Sequence, residues 1–196
     1  MEKFKIIALA IILVCATVFV SGCIGEDDFS KNMKEAGASD SEEAILSKDL
    51  EESLNDQSKK GIEKKINLTN QLIPLIEKID VSFNKALNST DNETIKEYLK
   101  LAIELNQLDL NELKNQQVLF KADQDYNNEK ISASEYDKLY NTYEKNYDNY
   151  IKNIEKTTKK IKNLLNDNPD FVEELKSYGF GGGLFLGEYR VGYSSF

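Results

Sequence analysis

The stretch YDKLYNTYEKNYDNYIKNIEKTTKKIKNL, residues 136–164, carries the most regular repeat in the chain. Its apolar and aromatic positions are spaced alternately four and three residues apart: Tyr136, Tyr140, Tyr143, Tyr147, Tyr150, Ile154, Thr157, Ile161 and Leu164. This spacing places side chains along one side of an α-helix. No glycine or proline interrupts the stretch before Pro169. It therefore predicts a helical rod about 50 Å long.

Two segments that precede residues 136–164 carry apolar residues at a similar spacing. The first contains Ile62, Ile66, Thr69, Ile73, Ile76, Asp80, Phe83 and Leu87. Pro74 within it predicts a kink or a restart, because proline removes a helix hydrogen bond. The second runs to about Asp123 with a broad apolar face of Ile95, Leu99, Ala102, Ile103, Leu110, Leu113 and Phe120. Short polar turns between long helices favour antiparallel neighbours.

The predicted fold is therefore all-α, an elongated antiparallel bundle of three long helices plus short helices at each end and a Gly/aromatic C-terminal tail. Ser39-Asp40-Ser41-Glu42 is a start signal for the short first helix. Thr90 with Glu93, and Ser132 with Glu135, are typical of capping boxes. Asn168-Pro169 predicts the start of a short last helix, and Gly179 its end.

The C-terminal tail, residues 179–196, holds six of the ten glycines. Leu184-Phe185-Leu186 and Tyr189-Arg190-Val191 flank Gly187-Glu188, which suits a β-hairpin turn. An isolated hairpin is marginally stable. The tail therefore packs on the bundle, docks on a partner or stays disordered, and the sequence does not choose among these.

The N-terminus carries an export signal. Lys3 and Lys5 precede an unbroken apolar or small run over residues 6–20, and small residues and Cys23 follow. This order is typical of a secretory signal peptide. The run is shorter than the roughly 20 apolar residues that cross a bilayer comfortably.

Val20-Ser21-Gly22-Cys23 resembles the lipobox of prokaryotic lipoproteins, although leucine is commoner than valine at its first position. The following Ile24-Gly25 is similar to archaeal lipoproteins. The resemblance implies that Cys23 receives a lipid and that residues 1–22 are removed. The alternative is a retained N-terminal transmembrane helix. Both place residues 24–196 outside the cytoplasm, because the lysines stay inside.

Four regions follow: a lipoprotein signal peptide over 1–22, a flexible acidic tether over 23–39, the helical bundle over 40–178 and the tail over 179–196. The formal net charge is −9, and loss of residues 1–22, with two lysines and one glutamate, makes it −10. Such an acidic surface argues against nucleic acid as a partner.

The composition excludes several kinds of catalytic site. The only cysteines are Cys15, within the signal, and Cys23, and the chain has no histidine and no tryptophan. The mature domain then lacks a disulfide and a free thiol. Histidine general bases, Ser-His and Cys-His pairs and histidine-ligated metals are excluded as well.

Residues near the third helix end bear a partial likeness to a metal loop. Asp123, Asp125, Asn127 and Glu129 resemble a calcium-binding EF-hand loop. Asn128 stands where glycine is usual, and the final glutamate falls one position late. We therefore predict an ordinary helix connector over 123–131 and no metal or other cofactor.

Asn67, Asn88 and Asn92 head N-x-S/T triplets, and Asn88 and Asn92, at a turn, are the better candidates for glycosylation. The tyrosines of 136–150 have two alternative roles. An aromatic stripe at heptad spacing is usually a packing seam, but tyrosine can also line a ligand groove.

We expect a lipid-anchored protein on the outer face of the cell membrane, non-enzymatic, with a structural or protein-interaction role and an envelope protein as partner. The alternative is a small-molecule-binding or sensory helical module near the tyrosine stripe.

Overall fold

The computed structural model describes residues 27–181 and 183–187. The lipobox with Cys23, residues 23–26 of the predicted tether and the second half of the predicted hairpin lie outside the described residues. Within these ranges the chain is helical and contains no strand, which confirms the all-α class. The described elements are α1 (Asp28–Ser53), α2 (Lys59–Asn88), α3 (Glu93–Asn127), α4 (Ala133–Asn166), α5 (Pro169–Ser177) and a 3₁₀ turn (Leu184–Leu186).

Helix α1 corrects two predictions at once. It is a 26-residue helix that begins after the N-cap Asp27, whose carboxylate accepts a hydrogen bond from the Ser30 amide at 2.7 Å. The flexible tether is therefore wrong for residues 28–39, and the start at Ser39-Asp40-Ser41-Glu42 is wrong as well. Phe29, Met33 and Ala36 anchor this segment in the core. The described chain thus contains four long helices rather than three.

The remaining helix boundaries follow local capping chemistry. Ser132 and Glu135 form the predicted capping box, with the Ser132 amide donating to Glu135 at 2.8 Å and the Glu135 amide donating to Ser132 at 3.3 Å. The cap of α3 is Asn92 rather than the predicted Thr90. Thr90 instead accepts a hydrogen bond from the Asn92 amide and shapes the preceding turn. Helix α2 continues through Pro74 without a break.

Each long helix packs on the next one in the chain, whereas α1 and α4 share no extensive contact among the described residues. At one end, residues 178–181 and 183–187 lie between these two helices. The Tyr178 ring contacts Phe29 edge-on with centroids 6.0 Å apart, and Ser41 donates to the Gly179 carbonyl at 3.3 Å. On the other side, Gly187 abuts the backbone of Lys162. We call this the closed end.

The closed end is built by the turn after α5. Gly179 has φ +104°, and the amides of Gly179 and Phe180 donate to the carbonyls of Lys176 and Leu175. These two bonds are a Schellman motif, which confirms the predicted stop at Gly179. Phe180 then enters the core and stacks on Phe83 with centroids 5.8 Å apart.

The hairpin prediction is wrong for Leu184-Phe185-Leu186, which forms the 3₁₀ turn. Phe185 is buried against Phe83, and its carbonyl accepts a hydrogen bond from the buried Tyr98 hydroxyl at 3.1 Å. Contact with the core therefore replaces strand pairing in this part of the tail. None of the described helices is both long enough and apolar enough to cross a membrane.

Candidate functional site

The α3–α4 interface is polar along much of its length. Side chains of α4 donate to oxygens of α3 in a regular series: Tyr136 to Asp123 (2.7 Å), Asn146 to Asn115 (3.1 Å), Tyr150 to Asp109 (2.7 Å) and Thr157 to Glu104 (2.9 Å). Residue numbers fall along α3 as they rise along α4, so the two helices are antiparallel. Hydrogen bonds to carboxylates are stronger than neutral ones, and this series fixes the register of the pair.

The tyrosine stripe is only partly a packing seam. Of the five tyrosines in residues 136–150, Tyr143 alone is buried, and the others are half-buried. Their rings stack along the helix, with centroids 6.3 Å apart for Tyr136 and Tyr140. The packing-seam interpretation is therefore correct for Tyr143 and wrong for the other four tyrosines, whereas Ile154 and Ile161, farther along α4, are buried.

Four carboxylates occupy the middle of the molecule where α1, α3 and α4 face one another. Asp40 and Glu43 lie on α1, and Asp109 and Glu112 lie on α3. Asp109 is close enough to the other three for their charges to act on it. Glu112 is 5% exposed, and the other three are half-buried. We call these four residues the acidic cluster.

The acidic cluster favours the protonated form of its members. Burial raises the pKa of Asp40 to about 7, and the negative charge of Glu43 adds to this. Burial also raises the pKa of Asp109 to about 7, against the lowering effect of its bond from Tyr150. Burial raises the pKa of Glu112 to about 7, although Gln116 donates a hydrogen bond to its Oε1 at 3.3 Å. Burial raises the pKa of Glu43 as well.

No lysine compensates this charge within the described ranges. The ion pairs found there use other carboxylates, such as Glu77 with Lys114 and Asp125 with Lys121. Glu112 Oε2 is buried without a hydrogen-bond partner, and so is Oε1 of Gln116, which is 6% exposed. Buried acceptors without donors are costly, so these two oxygens mark a place where a donor is missing.

A cavity extends from Gln116 toward the ends of α1 and α4. It offers about 70 Å³ that water can fill, or about 460 Å³ including the open solvent at its mouth. Its walls comprise Leu54, Gln57, Lys65, Gln116, Leu119, Phe120, Asp123, Tyr136, Tyr140 and Tyr143. These residues come from α2, α3, α4 and the segment that follows α1.

Lys65 gives this cavity a buried positive charge. It is 1% exposed, donates to the Leu54 carbonyl at 3.4 Å, and its Nζ lies 5.1 Å from the centroid of the Phe120 ring. Burial lowers the pKa of Lys65, and the charges of Asp123 and Asp56 oppose this. The cavity wall therefore already holds an alkylammonium against an aromatic face.

The structure does not reproduce the calcium-loop resemblance. Asp123, Asp125 and Asn127 continue helix α3 instead of forming a loop. Asp123 accepts from Tyr136, Asp125 pairs with lysines, and Glu129 stands apart with φ 57°. Among the described residues no group of three or more aspartates or glutamates is arranged to hold a metal ion.

The remaining predicted sites lie apart from the acidic cluster. Asn67, Asn88 and Asn92 are exposed, so glycosylation at Asn88 and Asn92 stays a prediction. The Asn92 side-chain oxygen caps α3 by accepting from the amides of Thr94 and Ile95. Cys23 lies outside the described residues.

Sequence reasoning missed the acidic cluster, although a signal was present. Residues of α1 and its C-cap with the spacing 4-3-4-3-4-3-4 are Phe29, Met33, Ala36, Asp40, Glu43, Ser47, Leu50 and Leu54. The equivalent stripe of α3 is Ile95, Leu99, Ala102, Asn106, Asp109, Leu113, Gln116 and Phe120. Polar residues interrupt both stripes in the middle of their helices, so inward positions carry carboxylates where packing alone would favour apolar side chains.

The chain matches no protein-family model, no curated protein and no solved structure at a significant level.

Proposed function

We propose that the protein is a membrane-anchored lipoprotein on the outer face of the cell membrane, held by a lipid on Cys23, and that its helical domain is a non-enzymatic binding module. The anchor is supported by the lipobox resemblance of residues 20–23 and the signal-like segment before it. The absence of histidine, and of any free thiol once Cys23 is lipidated, supports a non-catalytic role.

We expect Cys23→Ser to block maturation. Without the thiol there is no lipid acceptor, so the precursor keeps residues 1–22 and remains at its full mass. Mass spectrometry of the membrane fraction measures whether residues 1–22 are retained, and lipid incorporation in vivo measures whether the protein is lipidated. Cys15→Ser is the matched control, because it removes the other cysteine and leaves the cleavage site intact. Recovery of Cys23→Ser at mature mass would refute the anchor.

The acidic cluster is the observation that favours ligand binding over a purely structural role. Buried charged groups are weak contributors to stability, and apolar residues of similar volume often serve a scaffold better. The cluster and the adjoining cavity lie between helices, as ligand sites in helical bundles commonly do. These features support the alternative of a small-molecule-binding or sensory module.

The second candidate is a structural or protein-interaction role with an envelope protein. Exposed apolar side chains on three helices support it: Ile45, Val81 and Val118, which are 66%, 52% and 56% exposed. Single exposed apolar residues are common in proteins, however, and need no partner. We therefore place the ligand-binding role first.

Thermal unfolding of the detergent-solubilised lipoprotein distinguishes the two roles. Selective binding to the folded state raises the melting temperature. A shift from one class of small molecule supports the binding module. Absence of any shift, together with co-purification of one envelope protein that is lost when Ile45 and Val118 are replaced by serine, supports the second candidate instead.

A further inference from the structure

We infer that the acidic cluster and the tyrosines beside it form a binding site for a linear organic diamine or polyamine, whose amines pair with carboxylates of α1 and α3. This inference rests on the proposed ligand-binding role and names the chemical class of the ligand.

The charge of the site points to a cation. Asp109 lies close enough to Asp40, Glu43 and Glu112 for their charges to act on it, and no described lysine pairs with any of the four carboxylates. Three of them have a pKa of about 7, so near neutral pH the site is partly charged, and no lysine among the described residues supplies a counter-charge. A bound ammonium group would supply the positive charge, and salt screens a partly buried ammonium–carboxylate pair only weakly.

The unpartnered atoms point to a donor. Glu112 Oε2 and Gln116 Oε1 are acceptors, each on a side chain more than nine-tenths buried, and neither has a partner in the described chain. An ammonium group has three N–H donors and no acceptor. One amine could thus satisfy both oxygens while pairing with the Glu112 charge.

The arrangement of the carboxylates favours a linear organic cation over a metal ion. They form two pairs, Asp40 with Glu43 and Asp109 with Glu112, each spaced i, i+3 along its own helix. Pairs at this spacing lie roughly 5–6 Å apart at their Cβ atoms. No group of three acids among the described residues could hold a metal ion. Two amines joined by a short methylene chain can each reach one pair.

The aromatic wall suits the rest of such a ligand. Tyr150 donates a hydrogen bond to Asp109 at 2.7 Å, and the buried Tyr143 is close enough to Glu112 for the two groups to interact electrostatically. Tyrosine faces attract cations and also pack against methylene groups. Lys65 also lines the adjoining cavity, and its ammonium would repel a ligand amine that extended there.

The test is isothermal titration calorimetry, in which spermidine or putrescine is added to the full-length lipoprotein in detergent at pH 7.5 and moderate salt. We expect a saturable heat with wild type and a loss of affinity of about tenfold or more in Asp109→Asn/Glu112→Gln, because a desolvated charge pair is removed. Proton release should accompany binding, seen as heats that differ between buffers of different ionisation enthalpy.

Asp148→Asn/Glu155→Gln is the matched control, since it removes the same charge from exposed positions of α4. Its affinity should stay within about twofold of wild type, because exposed charges contribute little. Equal losses in the two double variants would mean attraction to a net negative surface and would overturn the proposal. Circular dichroism establishes that both variants are folded.

Two other outcomes would also overturn it. Absence of heat with either amine, while another small molecule raises the melting temperature, would leave the binding module in place and reject the polyamine.

Arg190, the single arginine of the chain, lies outside the described residues. Spermidine binding that appears only in Arg190→Ala would identify the chain's own guanidinium as the occupant of the acidic cluster.

Discussion

Gly37→Ala is expected to lower the free energy of unfolding by about 2–4 kcal/mol, as overpacking of a rigid contact does. A Cβ added at Gly37 would lie 2.1 Å from the carbonyl oxygen and 2.9 Å from the carbonyl carbon of Tyr178. Both atoms belong to the backbone, so no side-chain rotation relieves the clash. Helix α1 and the turn after α5 must therefore separate, which also weakens the contact between Phe29 and Tyr178.

Urea unfolding followed by circular dichroism measures this effect. Gly181→Ala is the control, because a Cβ there meets no atom within 4 Å. It should leave the unfolding midpoint nearly unchanged. Equal midpoints for Gly37→Ala and wild type would show that α1 does not approach the Tyr178 backbone this closely.

The free energy of unfolding should fall as pH rises from about 5 to 8. The native state holds protons on Asp40, Asp109 and Glu112 up to a pKa of about 7, whereas these groups in the unfolded chain lose them near their ordinary values. Native protein therefore binds more protons in this window, and linkage makes stability decrease with pH. Below pH 5 the ordinary carboxylates begin to protonate and the trend ends.

The expected loss is about 2–4 kcal/mol. Glu112 contributes most of this loss of stability. Its pKa rises from 4.5 to about 7, and its side chain is only 5% exposed. Each unit of pKa corresponds to about 1.4 kcal/mol. Asp40 and Asp109 contribute less, since they are half-buried and partly screened by water.

Glu112→Gln should flatten the pH profile and raise stability at pH 8, because its amide carries no charge to desolvate. Denaturant unfolding at pH 5, 6.5 and 8 gives the comparison. Glu155→Gln, on the exposed face of α4, should keep the wild-type slope. Stability that rises between pH 5 and 8 would contradict the burial of the acidic cluster.

The sequence was most informative where apolar periodicity and capping chemistry agree. Helix α4, its Ser132–Glu135 capping box and the stop of α5 at Gly179 were predicted correctly because each depends on a few neighbouring residues. Helix α1 was missed over residues 28–39, since its apolar positions are few before Asp40, Glu43 and Ser47 interrupt them. Its stability comes from packing on α2 and Tyr178, which no local pattern encodes.

The acidic cluster was missed for a related reason. Asp109 lies on the inward-facing side of α3, but a search for apolar residues does not detect it. Asp40 and Glu43 are expected beside Asp109 only if α1 is recognised as a long helix that runs past residue 39. The 3₁₀ turn at residues 184–186 also depends on a distant partner, the Tyr98 hydroxyl, that its own glycine-rich sequence does not reveal.

The two halves of α4 are held in different ways, and amide hydrogen exchange should reveal the difference. Residues 154–165 are fixed by the apolar side chains Ile154, Ile161 and Leu165, whereas residues 136–150 depend on hydroxyl contacts with carboxylates, for which water competes. Local opening should therefore begin at the Ser132 cap and end near Ile154. Such fraying uncovers the cavity while the closed end stays folded, so a ligand could enter and leave faster than the domain unfolds.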